Sequence, residues 1–142
     1  MGVGLGQAIA AAMAYPNKRI FHICGDSAFG FSGMELETIA RYKLPITVII
    51  MNNNGIYSGL DEETFNQVTK ESAAETGIPN PPSTALMPSA RYERMAECFG
   101  GLGFHVKSQA DLSKALASSN GLTVINVEIS PFATRKPQVK IH

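Results

Sequence analysis

Ile46-Thr47-Val48-Ile49-Ile50-Met51-Asn52-Asn53-Asn54-Gly55-Ile56-Tyr57 is a continuous apolar, largely β-branched run that ends abruptly in amide side chains and glycine. A strand without polar alternation must be covered on both faces, the condition of an inner strand of a parallel sheet. Working outward, Arg19 to Cys24 reads as a second buried strand, and it ends in Gly25-Asp26-Ser27-Ala28-Phe29-Gly30. Shorter strands are expected at Phe104 to Lys107 and at Leu122 to Ile129, the latter stopped by Pro131. Helical segments separate them. Leu5 to Tyr15 is small and apolar and is broken by Pro16-Asn17. Ser32 and Glu35 have capping-box spacing, and Met34, Ile39 and Tyr42 or Leu44 mark an apolar side up to Pro45. Further helices are expected from Arg91 to Phe99 and, capped by Ser108, from Asp111 to Ala117. This alternation predicts an α/β fold, a doubly wound and mostly parallel sheet with helices on both faces.

The 142 residues fit one domain, 1–142, which buries roughly 70% of the extended chain's surface. Residues 61 to 88 break the pattern, acidic at first and then rich in proline, serine and threonine, and read as a mobile excursion. The formal net charge is zero, so no basic field exists to collect nucleic acid or an anionic membrane. The longest apolar runs are strand-sized, which argues against a membrane span. Two cysteines, Cys24 and Cys98, lie outside any metal or redox spacing and favour a reduced intracellular compartment. No secretory signal opens the chain, and Lys140-Ile141-His142 is not the peroxisomal tripeptide.

In an open parallel sheet, ligands bind beyond the carboxyl ends of the strands. The two strand ends named above are both polar and glycine-bearing. If the strands are neighbours, their ends lie about 5 Å apart, and one small cation can touch both. A carboxylate from Asp26, an amide oxygen from Asn53 and a main-chain carbonyl at Gly55 are hard oxygen ligands. They suit an octahedral Mg²⁺ completed by phosphate and water. Glycines at 25 and 55 allow close backbone approach, and the N–H groups at Ser27, Ala28 and Phe29 can form an anion-holding concavity. Taken singly, Gly25-Asp26 is a common turn or cap and Asn54-Gly55 a common hairpin. Their combination, Gly-Asp-Ser followed by 24 residues and then Asn-Asn, is a spacing that chance turns seldom reproduce.

That pairing resembles the thiamine diphosphate enzymes, which carry Gly-Asp-Gly or Gly-Asp-Ser, a spacer of similar length, and Asn-Asn. The resemblance implies that Asp26, Asn53 and Gly55 ligate magnesium, that Ser27 and Ala28 hold the diphosphate, and that Gly25, Ile56 and Tyr57 complete the cofactor-binding positions. Met1-Gly2 matches the segment where a bulky apolar residue props the bent cofactor, although Met1 is equally readable as a bare start residue. The stretches Gly25 to Ile39 and Asn52 to Tyr57 are similar to the 2-hydroxyacyl-CoA lyase and oxalyl-CoA decarboxylase branch. Tyr92, Phe99-Gly100-Gly101 and Ala133-Thr134-Arg135-Lys136 look more like the lyase. Asp61 to Pro82 matches neither, which leaves the acyl preference open; the alternatives to the lyase are an oxalyl-CoA decarboxylase domain and a non-catalytic binding domain with a vestigial pocket.

In this family the cofactor supplies the carbanion chemistry, and a glutamate in a separate pyrimidine-binding domain activates it. Glu35 and Glu37 do not match that glutamate, so no catalytic residue is assigned. The resemblance further implies an acyl-CoA substrate and a homo-oligomer, with the apolar residues near Met34 and Ile56 meeting another chain. It also implies an inactive isolated domain, and a role in peroxisomal fatty acid α-oxidation if the source is eukaryotic, or a cytoplasmic location otherwise. Three lesser signals have plain readings. Gly2-Val3-Gly4-Leu5-Gly6 lacks a preceding strand and signals close helix packing rather than a dinucleotide loop. His22 and His105 fall in strand-like runs and read as structural. Arg135, Lys136 and Lys140 read as a solvated tail, with CoA phosphates the alternative.

Overall fold

The computed structural model describes residues 1–133. The readings placed on residues 134–142, including Arg135, Lys136 and Lys140, lie outside the described residues. Four strands, β1 (Ile20–Gly25), β2 (Ile46–Asn52), β3 (Leu102–Val106) and β4 (Thr123–Glu128), form one sheet in the order β1-β2-β4-β3. Every pairing is parallel, so the expected mostly parallel sheet is wholly so. The helices are α1 (Gly4–Ala14), α2 (Asp26–Gly30), α3 (Glu35–Arg41), α4 (Glu62–Thr76), α5 (Arg94–Glu97) and α6 (Gln109–Ser118).

Helices cover both faces, as the alternation predicts. On one face Leu5, Ala8 and Ala12 of α1, Leu36 and Ile39 of α3 and Ala96 of α5 pack on Ile46, Val48, Ile50 and Val124. On the other, Leu112, Ala115 and Leu116 of α6 pack on Ile49, Val106 and Ile125. The β-branched run of β2 is buried along nearly its whole length because it contributes to both clusters. The start of α1 touches the sheet closely: a Cβ at Gly4 would lie 2.2 Å from the His22 ring. Close packing thus accounts for Gly4 and, against Phe31, for Gly2, whereas Gly6 faces open space. The cap of α6 also forms as expected, with Ser108 Oγ accepting the Asp111 N–H at 3.2 Å.

Four expectations are corrected. Strand β1 is an edge strand whose residues alternate, with Phe21 47% and Ile23 65% exposed, because α6 does not reach across to it. The capping box at Ser32 does not form. Glu35 instead donates its backbone N–H to the Ser32 carbonyl in a turn ahead of α3, whose apolar side is Leu36 and Ile39, while Met34 and Tyr42 are exposed. The helix expected from Arg91 to Phe99 shrinks to α5 between flanking turns. Finally, the 61–88 excursion holds a 15-residue helix, α4, capped by Asp61 accepting the Thr64 N–H and ended by a left-handed Gly77. It buries no side chain fully, and its half-buried face, with Phe65 and Val68 among hydroxyl and alanine side chains, is only weakly apolar, so a periodicity reading has little to find.

Candidate functional site

Strands β1 and β2 are direct neighbours, with Gly25 opposite Met51, so Asp26 leaves β1 beside the Asn52 end of β2. Asp26 is fully buried. Its Oδ1 accepts the Ser27 N–H at 2.7 Å and its Oδ2 accepts the Gly55 N–H at 3.0 Å. Burial pushes its pKa up, and the backbone N–H groups of Ser27 and Gly55 only partly oppose that. A buried carboxylate with its charge so incompletely balanced is a position where a bound cation lowers the energy of the ionised form.

The loop after β2 is held in an unusual shape. Asn52 Oδ1 accepts the Asn54 N–H at 3.1 Å, Asn53 Nδ2 donates to the Tyr57 carbonyl at 3.2 Å, and Asn54 Nδ2 donates to the Leu60 carbonyl at 3.0 Å. Asn54 and Tyr57 both adopt left-handed backbone, at φ 63° and 68°. Non-glycine residues persist there only where their surroundings fix them, and such positions concentrate at functional sites. A short antiparallel bridge between Gly55 and Ala85 supplies that support, through Ile56 N–H to the Thr84 carbonyl and Leu86 N–H to the Asn54 carbonyl, each 2.9 Å. Gly55 has no room for a side chain, since a Cβ would lie 2.7 Å from the Thr84 carbonyl oxygen.

Two cavities open at this junction. One, of about 220 Å³, is lined by Gly25, Asp26, Ser27, Asn53, Gly55 and Tyr57, with Met51 and Ile129. The other, of about 410 Å³, is lined by Phe31, Ile56, Leu86 and Tyr92, with Asp26, Ser27 and Gly30. The structure therefore brings together six of the sequence-predicted positions in the first cavity and places Ile56 in the second. Ala28 sits within α2 and lines neither. Met1 is 64% exposed and also lines neither; its neighbour Gly2 runs against Phe31, where a Cβ would meet that of Phe31 at 2.8 Å. The Ser27 N–H, expected to face an anion, is engaged by Asp26. A hollow between Lys43, Gly100 and Asn120 lies at the opposite end of the sheet, where β3 and β4 begin, and has no part in this junction.

Among the described residues, no group of three or more histidine, cysteine, aspartate or glutamate side chains could hold a metal. A cation at this site must therefore rely on one carboxylate together with amide and main-chain oxygens, the donor set of a hard ion that keeps other oxygen ligands. Burial, reinforced by Asp26, pushes the Cys24 thiol up to about 11, so it is not a nucleophile. His22 is lowered by burial and packs on Gly4, which fits its structural reading. His105 is paired with Glu128 at 3.0 Å. The sequence reading missed Leu86 and Phe31 as cavity-lining residues, because Leu86 arrives through a bridge between distant segments that leaves no periodic mark.

Residues 1–127 match the family described as thiamine pyrophosphate enzyme, C-terminal TPP binding domain. The chain is 46% identical over 146 aligned positions to 2-hydroxyacyl-CoA lyase 1 of Homo sapiens, covering 97% of this chain and 25% of that protein. It is 42% identical over 136 positions to oxalyl-CoA decarboxylase of Escherichia coli K12, covering 94% of this chain and 22% of that protein. The chain thus spans about a quarter of the length of these curated relatives. Benzoylformate decarboxylase from Polynucleobacter necessarius shares the fold at a TM-score of 0.64 and 20% identity, over 92% of this chain and 23% of that one. The chain belongs to the C-terminal, thiamine pyrophosphate-binding domain family of the thiamine pyrophosphate enzymes.

Proposed function

We propose that this chain is the diphosphate- and cation-gripping domain of a thiamine diphosphate enzyme that cleaves a carbon–carbon bond of a 2-hydroxyacyl-CoA, giving formyl-CoA and an aldehyde. The observation that carries the reading is the contact of the Asp26 carboxylate with the Gly55 N–H, which makes one site of two strand ends. Asp26 supplies the charged ligand to Mg²⁺, and Asn53 and the Gly55 carbonyl supply neutral ones. Ser27, which lines both cavities, faces the diphosphate, Gly25 lets the backbone approach it, and Ile56 and Tyr57 border the cofactor; Ala28 and Met1, which line neither cavity, are proposed as neighbours of the bound cofactor on the family resemblance alone. The donor set fits because the buried Asp26 is short of positive charge and the smaller cavity beside it is lined by oxygen-bearing groups. When bound, the cofactor supplies stabilisation of a carbanion next to the bond that breaks.

The domain holds and orients; it performs no proton transfer of its own. The activating glutamate belongs to a pyrimidine-binding domain elsewhere in the full enzyme, a reading supported by the chain's span of about a quarter of its relatives. The isolated chain is accordingly inactive, and the complete enzyme is a homo-oligomer in which exposed Met34 and Ile56 face another subunit. In a eukaryote the lyase relationship favours a peroxisomal location. Oxalyl-CoA decarboxylase is the second reading, favoured by 42% identity, and carbon dioxide release from oxalyl-CoA distinguishes it. The test is calorimetric titration of thiamine diphosphate into the full-length enzyme. Asp26→Ala is expected to weaken binding in Mg²⁺ by at least about tenfold, or about 1.4 kcal/mol. Unchanged affinity overturns the assignment.

A further inference from the structure

The Asp26–Gly55 junction separates two cavities of different chemistry. Gly55 lines the smaller one and Ile56 the larger, and Asp26 and Ser27 belong to both. The larger cavity, about 410 Å³, has the size of a small-molecule site. Phe31, Ile56, Leu86 and Tyr92 line it, and no lysine, arginine or histidine does. Apart from Asp26, Ser27 and the Tyr92 hydroxyl its side chains are apolar, so it offers more contact to a hydrocarbon group than to a phosphate. It suits an apolar group.

Two parts of its wall, Leu86 and Tyr92, are also fixed. Leu86 is anchored by its N–H to the Asn54 carbonyl, 2.9 Å away, and so moves only with the loop that carries Gly55. Tyr92 meets Phe29 edge-on, with ring centroids 6.0 Å apart. Next to it in sequence, Glu93 is 2% exposed and bonded to Arg91 and, at 2.9 Å, to Asn126 Nδ2, which also donates to the Ala90 carbonyl at 3.0 Å. The turn bearing Tyr92 is thus pinned to β4 at the centre of the sheet. A wall held this way discriminates by shape, because it cannot relax around a group of the wrong size.

We infer that this cavity is the subsite for the apolar portion of the substrate's acyl group, and that Leu86 and Phe31, set against Tyr92, determine which acyl lengths are accepted. The inference rests on the reading given under Proposed function and adds the place of the acyl chain to it. The test uses the full-length enzyme with Leu86→Phe, Leu86→Ala and Phe31→Ala. Phe31 is 68% exposed, so its truncation leaves folding intact and keeps the test valid if a Leu86 variant is unstable. The ratio of kcat/KM for the longest and shortest members of a 2-hydroxyacyl-CoA series is measured beside thiamine diphosphate affinity. Leu86→Phe is expected to lower that ratio by about tenfold, and the two truncations to raise it, with cofactor affinity unchanged. Variants that rescale every chain length equally, or that shift cofactor affinity without changing the ratio, overturn this inference alone. A wild-type enzyme that cleaves no member of the series overturns the underlying reading, and this inference with it.

Discussion

The Asp26 carboxylate and the Gly55 amide, 29 residues apart in the chain, meet at 3.0 Å and fasten the end of β1 to the loop after β2. Because Oδ1 of the same carboxylate holds the Ser27 N–H, one side chain sets the geometry of both loop tips. Replacing it by alanine removes both acceptors. The Gly55 N–H then loses its partner in a buried place, at about 1–3 kcal/mol if water does not replace the oxygen, and the Ser27 N–H loses its partner in a half-buried one at smaller cost. Asp26→Ala is therefore expected to speed amide exchange at Gly55 and Ser27 by at least about tenfold while leaving the centre of β2 protected. Exchange measured by NMR checks this, and unaltered protection at Gly55 would show that the contact does not hold the loop.

Two glycines should respond in opposite senses to the same substitution. A Cβ at Gly55 would lie 2.7 Å from the Thr84 carbonyl and 2.9 Å from the Gly59 Cα, both backbone, so the bridge to Ala85 must open. Gly6 lies inside α1 with nothing within 4 Å of its would-be Cβ. Gly55→Ala is expected to destabilise by about 1–3 kcal/mol through overpacking, and Gly6→Ala to stabilise by about 0.5–1 kcal/mol through helix propensity. Urea unfolding of the two variants checks the contrast, and a stabilised Gly55→Ala would contradict the packing.

What the sequence reveals follows from what each residue touches. The inner position of β2 was legible because a strand covered twice must be apolar throughout, and Ile46 to Met51 is. The same inference misjudged β1, since Phe21 and Ile23 continue its apolar run although α6 leaves their part of that face uncovered. A run of apolar residues reports that burial is favourable, not that a cover exists. Helix α4 escaped notice for the converse reason: its signals, Asp61 before Thr64 and Gly77 at the end, are local, and no buried face reinforces them. The two loops of the site were readable because adjacent parallel strands deliver their ends to one edge. The second cavity was not, because the segment from Thr84 to Tyr92 reaches it by long-range bridging that sequence spacing does not encode.

Glu93 makes a prediction about acid. Burial alone would raise its pKa, but hydrogen bonds from Asn126 and Arg91 and the Arg91 charge outweigh this and hold the carboxyl below its ordinary 4.5. A folded-state pKa below the unfolded one means that the group's stabilisation is present above pH 4.5 and is lost as pH falls through the depressed value. Glu93→Gln, which keeps an acceptor for only one of the two donors and has no charge to lose, is expected to be less stable near neutrality and to show a shallower decline below pH 4.5. Denaturation midpoints at pH 6 and pH 3.5 read the difference. Parallel slopes for variant and wild type would remove Glu93 from the acid response.

The bare half of the sheet predicts how the isolated chain behaves. Phe21 and Ile23 project from edge strand β1 on the face that α6 covers only over its neighbours, and they are 47% and 65% exposed. Arg19 lies over the Phe21 ring at 5.1 Å from its centroid and shields only one side of it. A strand that lies at the sheet edge among the described residues and exposes aromatic and branched side chains is a template for pairing with another copy. Phe21→Thr with Ile23→Thr retains β propensity while removing the apolar patch. Because both side chains are largely in water already, the change in folding stability is expected to stay near about 0.5 kcal/mol. Self-association of the isolated chain, followed by sedimentation velocity and light scattering, is expected to fall markedly in the same variant. Undiminished association would place the sticky surface elsewhere, with exposed Met34 and Tyr42 the next residues to replace.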